Sequence, residues 1–158
     1  MFKENQIRGF SNQEVSYEDF LAKLKQYSLE GFDAYIGTDS QVIKNKVSVV
    51  TCVCLYKLGA KKNEIFYIKN RVPADRLPTL RARMLHEAYK SLEAAIDIDP
   101  LIDGELIVHL DIGTDPRRSK SARFQKELQV LVRSQGFGCE VKPNSWASSS
   151  VADMFTKT

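Results

Sequence analysis

The chain predicts a mixed α/β fold: a five-stranded sheet, part antiparallel and part parallel, with helices on both faces in the order β-β-β-α-β-α-β-α. Three observations carry this. Strand-like runs separated by short turns fill residues 34–71, and turns that short impose an antiparallel meander. Two later strand signals, at 105–112 and 138–142, each follow a stretch of helical periodicity, the pattern of crossover connections. With 158 residues, 43% of them hydrophobic and 27% charged, the chain has the length and composition of one globular domain.

The first helix starts at Ser16, whose hydroxyl can cap free amides while Asp19 favours the positive helix end. Phe20, Leu21, Leu24 and Tyr27 form its apolar stripe and Gly31 ends it. It precedes every chemistry-bearing residue, so residues 1–30 are expected to be a helical extension packed on a main domain of 31–158. Strand 34–40 comes next. Strand 47–57 is apolar on both alternating faces, as a central strand should be. The third strand is 64–71.

A long helix is expected over 78–96, with Leu80, Met84, Leu85, Ala88, Leu92, Ala95 and Ile96 on one face. Residues 97–104 read as an acidic connector. Strand 105–112 follows, then a helix over 119–135 with Phe124, Leu128, Leu131 and Val132 on one side and Gly136 as its stop. Strand 138–142 is ended by Pro143. A final short helix begins in the run Ser148-Ser149-Ser150 and carries residues 151–155.

Composition narrows the function classes. A net charge of +3 permits a polyanionic partner without demanding one. No apolar run follows a basic start, so no signal peptide is expected. The longest apolar stretch, 47–56, is too short to cross a bilayer, and a cytoplasmic protein with no membrane partner is expected. Cys52 and Cys54 lie two apart in a strand and share a face, as small buried hydrophobes. No second Cys/His pair accompanies them, and Cys139 stands alone, so no thiol or zinc chemistry is assigned.

Two apolar strands carry an aspartate near their ends: Tyr35-Ile36-Gly37-Thr38-Asp39-Ser40 and Val108-His109-Leu110-Asp111-Ile112-Gly113. A carboxylate in a buried strand is costly to desolvate. When two runs each carry one, the simplest explanation is that Asp39 and Asp111 meet and share a cation. Glu87 rides the long helix between them and Asp153 lies in the last segment. Two carboxylates about 5 Å apart repel by roughly 3 kcal/mol at an effective dielectric near 20. Hard oxygen donors of this kind suit Mg²⁺ or Mn²⁺.

Each residue also has a plainer reading. Asp39 and Asp111 could start turns, Glu87 could sit solvated on the helix flank, and Asp153 could stabilise a helix N-terminus. His109 is either a partner of Asp111 or a satisfied core histidine. His86 reads as an ordinary helix residue.

Together these residues resemble the ribonuclease H-like superfold, and more closely the bacterial YkuK-like family. The resemblance covers residue 32 to the C-terminus. It rests on element order, on Tyr35-Ile-Gly-Thr-Asp39-Ser-Gln41, on His109-Leu-Asp111-Ile-Gly113, and on Lys142-Pro-Asn-Ser-Trp146-Ala-Ser-Ser-Ser-Val-Ala-Asp153. It implies a catalytic and metal-binding quartet of Asp39, Glu87, Asp111 and Asp153. It further implies two Mg²⁺ or Mn²⁺ ions and hydrolysis of phosphodiester bonds in RNA or DNA. Some enzymes of the superfold carry a mobile histidine before the last aspartate, whereas residues 143–150 hold none. A non-catalytic nucleic-acid-binding or scaffold domain is the first alternative. A nucleotide phosphohydrolase is the second, although no glycine-rich phosphate loop is present.

The loop after the second aspartate strand contributes Arg117, Arg118, Lys120 and Arg123, which could hold nucleic-acid phosphates beside the metals. Lys142 is grouped with them, and Trp146 could stack on a base or anchor the core. Arg71, Arg76, Arg81 and Arg83 form a second basic group. Either group could equally be a solvated face.

Overall fold

The computed structural model describes residues 1–113, 115, 117 and 119–157. Its centre is a long meander: β3 (Asp33–Ile43), β4 (Lys46–Tyr56) and β5 (Glu64–Pro73) pair antiparallel along almost their full lengths. The β-branched run in β4 suits this central place, and its residues from Val47 to Leu55 are all buried. The helix α2 (Leu80–Ile98) crosses to β6 (Leu106–His109), which lies parallel to β3 with Gly37 opposite His109. The helix α3 (Gln125–Ser134) then returns to β7 (Gly138–Glu140), parallel to β6.

The fold class is the expected mixed sheet with several helices, but the sheet has seven strands rather than five. The additional pair comes from the N-terminal segment, expected to be purely helical. Its β1 (Ile7–Gly9) and β2 (Glu14–Val15) form a hairpin on the free edge of β5 before α1 (Tyr17–Leu29) begins. Strands of three and two residues carry no periodicity of their own; pairing with β5 makes them strands. Capping of α1 by Ser16, whose hydroxyl accepts from the Asp19 amide at 3.1 Å, is as the sequence implies.

The helices divide between the two sheet faces. Phe20 and Leu24 of α1, Ala88, Leu92 and Ala95 of α2, and Leu128 and Val132 of α3 bury one face over Ile36, Val53, Phe66 and Val108. Ile96, expected on that apolar face, is instead 57% exposed, because the buried line of α2 runs through Ala94, Ala95 and Ile98. The opposite face is covered by the C-terminal segment, which begins as a π-helical stretch (Ala147–Ala152) and continues into α4 (Asp153–Thr156). Ala147, Ala152 and Phe155 pack there on Val50, Cys52, Cys54 and Tyr67. The cysteines are buried and free, as expected.

Three boundaries differ from expectation near the C-terminal ends of the parallel strands. The strand expected to reach residue 112 stops at His109, where pairing with β3 ends; beyond it the Leu110 amide donates to the Glu140 carbonyl and the Lys142 amide to the Ile112 carbonyl. The strand expected over 138–142 stops at Glu140. The helix expected from 119 opens as a 3₁₀ segment (Lys120–Phe124) before α3. Among the described residues no helix is long and apolar enough to cross a membrane.

The C-terminal segment sits directly on β3. A Cβ built on Gly37 would lie 2.3 Å from the Ser148 nitrogen and 2.5 Å from the Ala147 carbonyl carbon. Both contacts are to backbone, which cannot swing aside. Gly37→Ala is therefore expected to lower stability by about 1–3 kcal/mol, the usual cost of overpacking. Urea unfolding followed by circular dichroism measures it.

Candidate active site

Pleating of β3 sends alternate side chains to opposite faces, and the site grows from that alternation. Thr38 and Ser40 face α2: the Thr38 hydroxyl lies 2.8 Å from Ser91 Oγ, and Ser40 Oγ donates to Glu87 Oε2 at 2.5 Å. Gly37, Asp39 and Gln41 face the C-terminal segment. Gln41 Oε1 accepts from the Thr156 hydroxyl at 3.3 Å, and Asp39 lies near enough to Asp153 for the two carboxyls to influence each other.

Asp39 and Asp111 occupy matching places. Each lies two residues beyond the last paired positions of neighbouring parallel strands, Gly37 and His109. Asp39 is only 7% exposed. Burial, then the negative charge of Asp111 and the proximity of Asp153, push its carboxyl up to about 8, against a smaller opposing hydrogen bond from the Ser40 backbone. Glu87 is 5% exposed rather than solvated. Burial raises its carboxyl well above the usual range, Asp39 and Asp111 add to the rise, and the Ser40 hydroxyl opposes it. Glu87 and Asp111 line one cleft with Thr38, Ser91 and His109.

The four predicted carboxylates thus act on one another electrostatically, from four separate segments of the chain. Each nevertheless engages groups of the protein. Asp111 Oδ1 accepts from Ser149 Oγ at 2.9 Å and lies 3.1 Å from Lys142 Nζ. Asp153 lies 3.5 Å from Lys157. Among the described residues, no group of three or more His, Cys, Asp or Glu side chains is arranged to hold a metal ion. The donor chemistry itself, carboxylate oxygens in excess of local positive charge, is that of a hard divalent cation site.

His109 is a core histidine with a defined task. Its Nδ1 accepts from the Ala147 amide at 3.0 Å, so the proton resides on Nε2, and burial lowers its pKa to about 4. Cys52 Sγ holds the Ala147 carbonyl from the neighbouring strand at 3.1 Å. These bonds seat the segment that delivers Asp153. Trp146 packs against Tyr35 and His109, at ring-centroid separations of 4.9 and 5.0 Å.

The basic residues separate. Arg117, Lys120 and Arg123 are exposed; Arg118 lies outside the described residues. The Arg117 amide donates to Asp115, and Arg123 lies over the Phe124 ring. Lys142, grouped with them from sequence, turns to Asp111 instead. Of the second group, Arg81 pairs with Glu127 at 2.6 Å. Ser40, Ser149 and Lys157 were not singled out from sequence. Ser40 was legible as one of two hydroxyls breaking an apolar strand, and Lys157 as an i,i+4 partner of Asp153.

Residues 16–157 match the family described as Ribonuclease H-like. The "Uncharacterized protein YkuK" of Bacillus subtilis (strain 168) is 26% identical over 172 aligned positions, covering 94% of this chain and 95% of that protein. No solved structure matches the chain.

The carboxyl of Asp39 makes metal-free stability depend on pH with a definite sign. Its folded pKa of about 8 lies above the reference value of 3.8, so the folded state holds the proton more tightly. The resulting contribution is complete below the reference value and is lost as pH rises through the folded one. In the presence of a chelator, Asp39→Asn is expected to raise Tm near pH 8 by ~5 °C or more and to leave it unchanged at the acid end. Thermal melts across pH test this.

Proposed function

The chain belongs to the ribonuclease H-like family, and from that premise we propose that it is a divalent-metal-dependent nuclease. It would hydrolyse phosphodiester bonds of RNA or DNA at the carboxylates around Asp39. The observation that supports this best is the register of β3 and β6, which carries Asp39 and Asp111 to matching positions. Asp39, Asp111 and Asp153, with Glu87 from the opposite face, would hold Mg²⁺ or Mn²⁺. When bound, such ions activate water and stabilise the leaving oxygen of a phosphodiester.

The protein's own contributions follow from its contacts. Burial, and then the charge of Asp111, raise the Asp39 carboxyl to about 8, so a cation held there would bind more tightly as pH rises towards that value. Lys142 neutralises Asp111 at 3.1 Å, and with a cation held by Asp111 its ammonium would be available to a phosphate at the site's edge. The Ser40 and Ser149 hydroxyls orient Glu87 and Asp111. His109 and Cys52 fix the backbone at Ala147.

A second reading draws on the same contacts: because Lys142 and Ser149 already satisfy Asp111, the domain could bind nucleic acid without cleaving it. That predicts salt-sensitive binding and no turnover.

Single-stranded, duplex and hybrid RNA and DNA, incubated with Mg²⁺ or Mn²⁺, separate the readings. Asp39→Asn and Asp111→Asn are expected to lower cleavage by at least about 100-fold. Glu87→Gln keeps its Ser40 contact and should lose activity while staying folded. Equal behaviour of wild type and Asp39→Asn on every substrate ends the nuclease reading.

A further inference from the structure

We propose that the pocket at the β3–β4 turn binds a phosphate of a nucleic-acid strand whose adjoining segment lies over the carboxylates. This deepens the nuclease reading and rests on it for the identity of the strand. The pocket is lined by Ile43, Lys44, Asn45, Lys46, Ser48 and Arg71. It contains three cations and no carboxylate.

Ser48 supplies the independent observation. Its side chain is 2% exposed and its Oγ has no hydrogen-bond partner. A hydroxyl withdrawn from water and left unpaired is costly, and each such group calls for an explanation. An anion in the pocket gives it one: the hydroxyl donates to an oxygen that Arg71 and the lysines neutralise. A phosphate suits this set because its oxygens accept from a hydroxyl, a guanidinium fork and ammonium groups at once.

The placement ties the pocket to the site. In the sheet register Gln41, Ser48 and Arg71 form one cross-strand row, and Asp39, Val50 and Lys69 form another two residues along. Both rows face the C-terminal segment, since Gln41 meets Thr156 and Asp39 meets Asp153. Two residues of strand separate them by about 7 Å. A strand anchored by one phosphate at Ser48 and Arg71 therefore has its next phosphate within reach of the edge of the carboxylate group. Lys69, at the β5 end of the Asp39 row, donates its Nζ to the Phe155 carbonyl at 3.1 Å, and burial and then the charge of Arg71 lower its pKa.

Binding of short labelled DNA and RNA strands to the full chain, measured by fluorescence anisotropy in chelator at several salt concentrations, tests the proposal. Arg71→Gln is expected to weaken binding ~10-fold and to reduce the salt slope by about 1. Ser48→Ala is expected to weaken it ~3-fold or more while leaving Tm unchanged or higher, because the change removes an unpaired hydroxyl. A merely structural serine would not give that combination. A parallel arm titrates inorganic phosphate and follows the Ser48 and Arg71 amides by NMR. Wild-type affinity and salt slope in both variants overturn the proposal. So does a wild type whose amides shift with inorganic phosphate but which binds no oligonucleotide, since the ligand is then a free anion. Binding that depends on Ser48 and Arg71, without cleavage in Mg²⁺ or Mn²⁺, upholds the phosphate site and defeats the nuclease reading alone.

Discussion

The contact between Gly37 and the Ala147–Ser148 backbone is the constraint on which the site depends. The Cβ distances at Gly37 leave room for hydrogen alone. Given that closeness, two hydrogen bonds lock the segment from either side. The Ala147 amide goes to His109 on β6, and its carbonyl is held by Cys52 on β4. The π-helical stretch that starts there continues without a break into Asp153. π-Turns are uncommon in helices and tend to occur where a side chain must be placed. Here the side chain placed is the Asp153 carboxyl, which lies in the electrostatic field of Asp39.

That seating concentrates charge where the protein can least dissolve it. Successive residues of β3 serve opposite faces, so Ser40 can hold Glu87 from one side while Asp39 meets Asp153 on the other. The carboxyl groups of Asp39 and Asp111 share one field because each lies two residues beyond the last paired positions of neighbouring parallel strands. Exposure rises outward through the group, from Glu87 and Asp39, both under a tenth exposed, to Asp111 at 23% and Asp153 at 42%. Negative charge is thus paired with lysines at the rim, while at the centre burial raises the Asp39 and Glu87 carboxyls above their ordinary range.

Much of this was legible in the residues. Periodicity alone gives the meander, the long α2 and the crossovers, because each element buries a face that its spacing declares. Asp39 and Asp111 stand out because nothing apolar explains them. The parts that were not legible are those that packing decides. A helical wheel drawn on apolar residues places Glu87 on the flank, yet the flank turns inward because Thr38 and Ser40 offer hydroxyls there to Ser91 and Glu87. Ile96 is misplaced by the same wheel for want of knowing that Ala94 and Ile98 lead the buried line. The π-helical stretch has no sequence signal; it follows from how closely Gly37 allows the chain to approach. The role of Lys142 was hidden because a cation beside an aspartate and a cation beside a phosphate look alike in sequence.

The N-terminal strands belong to the same mechanical system. An unpaired β5 would present an edge open to other chains, and β1 of the hairpin covers part of it, pairing at Phe66 and Tyr67. The hairpin also reaches over the sheet to the helix that carries Asp153. Tyr67, on β5 beneath it, hydrogen-bonds Asn12 in the hairpin turn and stacks on Phe155, with ring centroids 4.0 Å apart and planes 14° apart. Phe10 meets the same Phe155 ring edge-on at 6.3 Å. Phe155 lies two residues after Asp153 on α4, so the aromatic stack fixes the rotation of the turn from which the carboxyl projects. A helix of four residues cannot hold its own conformation in water. Its orientation is borrowed from Gly37 at one end and from the N-terminal hairpin at the other, which couples the start of the chain to the chemistry near its end.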